Sequence, residues 1–421
     1  MYAGMTHLGL NSAAAAAARG FNVVCFDMDS DIIEKIKRGE LSIEEPFLVD
    51  TLNENAERLT FTSEVNAIKG CDVVYVAPDV ATNEANQSDL NDLLALLDVV
   101  TVQAREDSAV IILSQVPPGF TRSKNVKGRT LFCQVETLIF GNAIERALNP
   151  ERIIIGCLNP SKPLYDGYRK FLETFECPLL PMRYESAELA KISINCFLVA
   201  SVSTTNTLAE LCEKIGADWE EIVPALRLDK RIGPYAYLNP GLGIAGGNLE
   251  RDLETVVRFS KEQDTDADVV KAWISNSRQR KRAAVRVLEE YVLPNHQDPL
   301  IAVWGLAYKE NTHSIKNSAS LETISTFPNC QFHIHDPIVP IEKAQHLRAS
   351  GFDNPMAAVE DADALLVLTP WPEYAECDMT ALAAAMSGKT VFDPFGVLNS
   401  RQIVQSGLNY HSLGKAPIWA E

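Results

Sequence analysis

Four groups of residues in this 421-residue chain have the types and spacing to do chemistry. Near the start, Gly4-Met5-Thr6-His7-Leu8-Gly9 falls where a glycine turn between a strand and a helix could grip a dinucleotide, and Asp27 closes the next strand. In a G-x-G-x-x-G turn the first glycine permits the bend, the second lets backbone amides and the helix N-terminus approach a pyrophosphate, and the third lets helix and strand pack closely. Thr6 stands in the second glycine's place, and its side chain crowds that approach. Gly4, Thr6, His7, Leu8, Gly9 and Asp27 are therefore the candidate cofactor residues, with Asp27 on the adenosine ribose. An acid there without a basic replacement nearby favours NAD over NADP. Further on, Lys191 and Asn195 lie four apart in helical text and project from one face toward a common site. Residues 240–252, PGLGIAGGNLERD, form a glycine-rich loop that ends in a polar cluster. The basic run at residues 278–282 reads as the solvated face of a helix rather than a phosphate site, given how acidic the chain is.

Composition narrows the partners. Lys and Arg number 38 against 56 Asp and Glu, a net charge of −18, so the bulk field attracts neither nucleic acid nor an anionic membrane, and an anionic ligand must be held locally. Nine cysteines are scattered without a C-x-x-C pair, which suits reduced, mostly buried thiols in a cytoplasm and neither a disulfide framework nor a zinc site. No metal site is expected. The alanines at residues 13–18 follow no basic region, so they read as a closely packed helix and not as a secretory signal. No apolar stretch is expected to approach the length of a membrane span.

These residues need elements to position them. From Gly4 to about Thr121 the text alternates as βαβ, with a helix over 10–19 and strands at 22–26, 72–77 and 109–113; shorter strands follow at 152–156 and 178–180. Only three residues precede Gly4, so the opening strand is short. Residues 184–216 have apolar positions Leu189, Ile192, Phe197, Ala200 and Leu208 at helical spacing and read as one long helix. Helical text continues to a polar linker after Pro294. A second α/β pattern then places strands at 300–305, 330–335, 364–368 and 390–392. The expected fold is α/β, with two Rossmann-like parallel-sheet domains joined by a long central helix and a helical middle domain. The boundaries are residues 1–183, 184–296 and 297–421.

The ordered motifs resemble the UDP-glucose/GDP-mannose dehydrogenase family across nearly the whole chain. Residues 42–48 (SIEEPFL) resemble I-x-E-P-G-L, and 114–121 (SQVPPGFT) resemble S-T-V-P-P-G-T-T. Residues 133–156 resemble N-P-E-F-L-R-E-G-x-A followed by L-N-P-D-R-I-V-I-G. Glu188-Leu189-Ala190-Lys191 with Asn195, then Arg231-Ile232-Gly233-Pro234, are further matches. So are 304–318 (WGLAYKENTHSIKNS), His335-Asp336-Pro337, 369–374 (TPWPEY) and Asp393. The loop at 240–252 resembles P-G-x-x-F-G-G-S-C-x-P-K-D, in register at Gly241, Gly246, Leu249, Arg251 and Asp252, with Asn248 on the family's cysteine.

The resemblance implies an NAD-dependent enzyme on a nucleotide sugar. There NAD removes two hydrides from C6, first giving an aldehyde and then a cysteine-bound thioester that water hydrolyses. By resemblance the catalytic residues are Glu136, Lys191, Asn195, Asn248 and Asp252, with Lys191 and Asn195 holding the reacting oxygen and Asp252 orienting them. Gln115 and Lys316 would join the cofactor set, in place of the family's threonine and arginine. Arg231, Tyr237, Gly243, Gly246 and Lys309 would meet the sugar or its phosphates, since Arg and Lys hold a diphosphate efficiently. An amide at Asn248 lacks the nucleophilicity of a thiolate. Neither Cys133 nor Cys196 sits in the loop. Phe140 in place of a glutamate and Ile139 in place of an arginine make the hydrolytic side drier. The expected function is NAD-dependent oxidation of a UDP- or GDP-sugar that does not pass through a cysteine thioester. The alternatives are a catalytically silent nucleotide-sugar binder and the family's full four-electron oxidation. The resemblance also implies a homodimer using residues 184–216, without nucleic acid or membrane as partners.

Overall fold

The structure is a computed structural model that describes residues 1–83 and 88–420. The chain forms two compact units, Met1–Ile194 and Asn195–Glu421, and the division falls inside the 32-residue helix Tyr184–Ile215.

The first unit is built on β1 (Tyr2–Ala3), β2 (Val23–Phe26), β3 (Leu59–Thr62), β4 (Val73–Val76), β5 (Ala109–Ile112), β6 (Thr130–Val135), β7 (Ile153–Cys157) and β8 (Leu179–Arg183), in the sheet order β3-β2-β1-β4-β5-β6-β7-β8. Up to β6 every pairing is parallel. Strands buried on both faces read as continuous apolar runs, as β5 (AVII) does, because helices cover both sides of such a sheet. β7 runs antiparallel to β6, so this sheet is mixed rather than wholly parallel as expected. The opening strand is as short as its sequence requires. It is nevertheless central, with Tyr2 and Ala3 paired to β2 on one side and β4 on the other, and Tyr2 stacked on Tyr75 at 4.6 Å. The first helix, His7–Ala18, begins three residues earlier than its apolar pattern suggests. Its alanines from Ala13 to Ala17 are all buried, because alanine is the best helix former and offers no bulk to hold the helix off the sheet.

The second unit carries β9 (Leu300–Trp304), β10 (Gln331–His335), β11 (Ala349–Gly351), β12 (Ala364–Val367), β13 (Thr390–Phe392) and β14 (Asn409–His411), all parallel, in the order β11-β10-β9-β12-β13-β14. This is the order of the first six strands of the other sheet, and it is the doubly wound nucleotide-binding order. β11 (ASG) and β14 (NYH) have little strand propensity of their own and exist because a neighbour pairs with them.

Two sequence expectations need correcting here. The helix Tyr184–Ile215 is long and apolar enough to cross a membrane by length and composition, although no stretch was expected to come near that limit. Its serines, threonines and asparagines interrupt the apolar run without making it strongly polar. Several bond within their own unit, among them Thr205 to Tyr237 O (3.0 Å) and Asn206 to Gly241 N (2.8 Å). The basic run at 278–282 is not simply a solvated face either. In the helix Asp268–Lys281, Ser277, Arg280 and Lys281 are buried while Arg278 and Gln279 are exposed. Arg280 donates to Glu213 (2.8 Å) and Lys281 to Glu250 (2.8 Å). Helical periodicity, not net charge, decides which members of a basic run turn inward.

Removing one partner of a buried ion pair strands the other, at a cost of about 3 kcal/mol or more. Arg280→Ala is therefore expected to lower unfolding stability by roughly 3 kcal/mol, discounted toward 2 because Glu213 is partly exposed. Urea denaturation of the variant checks this, and an unchanged midpoint would show that the pair is dispensable.

Candidate active site

In the first unit the turn Gly4–Gly9 links β1 to the first helix and faces the ends of β2 and β4. Gly4 has φ +99°, and a Cβ there would lie 2.7 Å from Pro78 N; a Cβ on Gly9 would lie 1.8 Å from Gly4 O. Both glycines are thus fixed by close backbone approach. Asp27, just beyond β2, accepts from Met5 N (2.7 Å) and Asp29 N (3.0 Å). Thr6 caps the helix but makes no side-chain bond to it. Its Oγ1 accepts instead from Asp79 N (2.8 Å), while Asp79 Oδ2 accepts from His7 N (2.9 Å). His7 is buried, with Nε2 3.0 Å from Glu45 Oε2 and its ring 4.0 Å from that of Phe140. Glu45 also accepts from Gly141 N (3.1 Å) and Ala143 N (2.7 Å), so one carboxylate ties the glycine turn to the loop after β6. Leu8 is buried in the core of this unit.

A second cluster stands at the ends of β5 and β6. Gln115, Cys133, Glu136, Glu188 and Lys191 line a small open pocket. The structure thus brings Glu136, Gln115 and Lys191 together from three separate stretches of sequence. Burial raises the Glu136 carboxyl, opposed by its bond from Thr137 N and by the positive charge of Lys191. Glu188, one turn before Lys191, accepts from Gly119 N (2.6 Å) and Thr121 N (2.8 Å), which pins the P-P-G-F-T loop to the long helix. The Cys133 thiol, also in the pocket, is pushed up to about 12 by burial and by Glu188.

The second unit holds the glycine-rich loop and the start of the helix Asn248–Glu262. Asn248 is the first residue of that helix and is exposed. Asp252, one turn on, is buried, accepts from Asn195 Nδ2 and pairs with the buried Arg251 (3.4 Å). The loop is held at several points. Ile244 N donates to Ser277 (2.7 Å), Gly246 N to Lys316 O (2.9 Å), and Asn317 Nδ2 to Gly246 O (2.9 Å) and to Glu250. Gly243 backs onto Ser277 and Gly246 onto the Tyr308 ring. Tyr237 contributes its carbonyl to Ser201 and Thr205 of the long helix while its side chain is half exposed. Lys309 sits 5.9 Å from the Tyr308 ring. Arg231 stays apart from this cluster, paired with Asp229 (2.6 Å) and largely exposed. The half-buried Cys196 is pushed up to about 11 by burial and by Asp252.

The sequence did not single out Asp79, and it gave Glu45 and Asp336 only as members of motifs, without a role. Asp336 stands after β10 where Asp27 stands after β2. It accepts from Leu306, Ala307, Ile338 and Val339 amides and from the Trp371 indole. The recurrence of Gly-turn and acid, Gly4 with Asp27 and Gly305 with Asp336, was the available signal.

Three family models match in succession: an NAD binding domain over residues 2–171, a central domain over 185–278 and a UDP binding domain over 302–400, all of one family. The chain belongs to the UDP-glucose/GDP-mannose dehydrogenase family. It is 29% identical to the UDP-glucose 6-dehydrogenase TuaD of Bacillus subtilis (strain 168), over 99% of this chain and 93% of that protein. It is 28% identical to a UDP-glucose 6-dehydrogenase of Pseudomonas aeruginosa, over 98% and 96%. A UDP-glucose dehydrogenase structure from Pyrobaculum islandicum matches with TM-score 0.84 and 26% identity, over 99% of this chain and 97% of that one. A UDP-D-ManNAc dehydrogenase structure from Pyrococcus horikoshii, at 23% identity and TM-score 0.84 over 99% of both chains, is a likeness of fold.

NAD is the cofactor of this dehydrogenase family's first domain. The residues present fit it: Gly4 and Gly9 bring strand and helix as close as a nucleotide cradle needs, and Asp27 is an acid just beyond β2 that faces the turn and accepts from Met5 N.

The Glu136 carboxyl gives a pH prediction. Above its ordinary value of about 4.3 the unfolded chain has released a proton that the folded protein still holds. Stability is therefore lost as pH climbs from there through the raised value. Glu136→Gln removes this titration, so the stability difference between variant and wild type is expected to move in the variant's favour between about pH 4 and pH 8. Denaturant midpoints across that range check it, and a constant difference refutes the account.

Proposed function

We propose that this member of the nucleotide-sugar dehydrogenase family oxidises a UDP- or GDP-sugar with NAD and stops without forming a cysteine thioester. One observation carries this reading: the position that leads the helix Asn248–Glu262, at the end of the glycine-rich loop, is an exposed amide. The two thiols nearest the candidate residues, Cys133 and Cys196, are held far above neutrality and stay protonated, so neither supplies the missing thiolate.

When bound, NAD supplies the hydride acceptor. Lys191 and Asn195, one turn apart on a continuous helix, hold the reacting hydroxyl oxygen and the negative charge that grows on it as its proton leaves. Asp252 fixes Asn195 by taking its amide hydrogen, and Arg251 compensates the buried carboxylate. Arg231, Tyr237, Gly243, Gly246 and Lys309 are taken as the sugar-nucleotide contacts, and Gln115 and Lys316 as cofactor contacts. Phe140, in ring contact with His7, stands where the family has a carboxylate, so the loop after β6 has one group fewer to order water and keeps Glu136 alone of the two.

The organisation into residues 1–183, 184–296 and 297–421, a reducing cytoplasmic setting and a homodimer belong to the same reading. Support for the dimer comes from Leu189, Phe197, Leu208, Leu211 and Ile215, which lie on the long helix and are 42–80% exposed.

Product stoichiometry tests the chemistry. Incubation with UDP- and GDP-sugars is expected to yield one NADH per sugar and a carbonyl product that hydroxylamine traps, with two NADH and an acid appearing only in Asn248→Cys. Two NADH and an acid from the wild type would overturn the proposal. No NADH from any sugar, together with tight sugar-nucleotide binding, would favour the silent reading.

A further inference from the structure

The turn at residues 4–9 differs from an open phosphate cradle in one respect: its own chain supplies the anion. The helix His7–Ala18 has no acidic residue in its first turn, yet its N-terminus carries partial positive charge and unsatisfied amides. Asp79, three residues beyond the end of β4 at Val76, reaches over to it. Asp79 Oδ2 accepts from His7 N at 2.9 Å, and Thr6 Oγ1 accepts from Asp79 N at 2.8 Å, so the two segments hold one another at two points. Thr6 Oγ1 is also 3.5 Å from Ala77 O. Met5 N is occupied as well, by Asp27. Thus Thr6 does more than crowd the turn: it fixes the backbone that aims a carboxylate at the place a pyrophosphate would take.

We propose that Asp79 is a built-in counter-anion that fills the pyrophosphate position of the NAD site, so that the cofactor binds only by displacing it. The group is exposed and meets the helix through its bond to His7 N, so it can swing outward. A diphosphate brought beside it meets like charge at close range, and the helix N-terminus that would reward the diphosphate is already partly neutralised. Asp79 is in this sense a residue that sets cofactor affinity. It is not a catalytic residue.

Calorimetric titration of the full chain with adenosine, ADP-ribose and NAD tests this in wild type, D79N and D79A. D79N keeps an oxygen for His7 N and removes the charge; D79A removes both. In both variants ADP-ribose and NAD are expected to bind about tenfold tighter, while adenosine, which places no charge in the turn, is unchanged. Unchanged or weaker binding of ADP-ribose by D79N overturns the proposal, and so does an absence of ADP-ribose binding by wild type and variants alike. An equal gain for adenosine also overturns it, because that would report a general loosening of the site.

Discussion

A backbone contact that leaves no room for a side chain governs the first unit. A Cβ on Gly4 would lie 2.7 Å from Pro78 N, so the chain can turn from the two-residue β1 into its helix only with glycine there. That turn aims the amides of residues 5–7 at the open end of the sheet, between β2 and β4. Asp27 from one neighbour and Asp79 from the other then meet those amides. The same construction recurs at Gly305 and Asp336 in the second unit, where the acid is satisfied by amides on both sides of it. Two sheets of equivalent strand order thus end in two glycine turns with an acid opposite each.

In each unit the candidate residues depend on a second constraint, the part of the helix Tyr184–Ile215 that the unit contains. Glu188 uses its carboxylate to hold the 119–121 loop, Lys191 enters the pocket beside Glu136, and Asn195 engages Asp252, each a turn or less from the next. In the first unit the helix thus brings Glu188 and Lys191 to the loops after β5 and β6, and in the second it carries Asn195 to Asp252. The glycine-rich loop has its own supports in Asn206, Ser277 and Asn317. With the loop so anchored, Asn248 is an exposed amide that leads a helix whose surroundings are well held.

Much of this was legible in the sequence. The βαβ alternation, the alanine helix, the long helix and the glycine turn with Asp27 follow from periodicity and glycine placement, which are local properties. Strands such as β11 and β14 were not legible, because their residues have weak strand preference and are recruited by a neighbour's free edge. The basic run was misjudged because net charge says nothing about orientation, whereas the packing of the helix Asp268–Lys281 turns Arg280 and Lys281 toward carboxylates.

By itself the sequence determined the order of elements, the family motifs and the presence of an asparagine at residue 248. Tertiary structure decided which side chains meet. Thr6 read alone is a misplaced side chain in a glycine motif, and Asp79 read alone is one acid among many. The parallel pairing of β1 with β4 places them across a gap that a hydrogen bond can close, and contacts between residues more than 70 positions apart are set by sheet register, which no local pattern encodes.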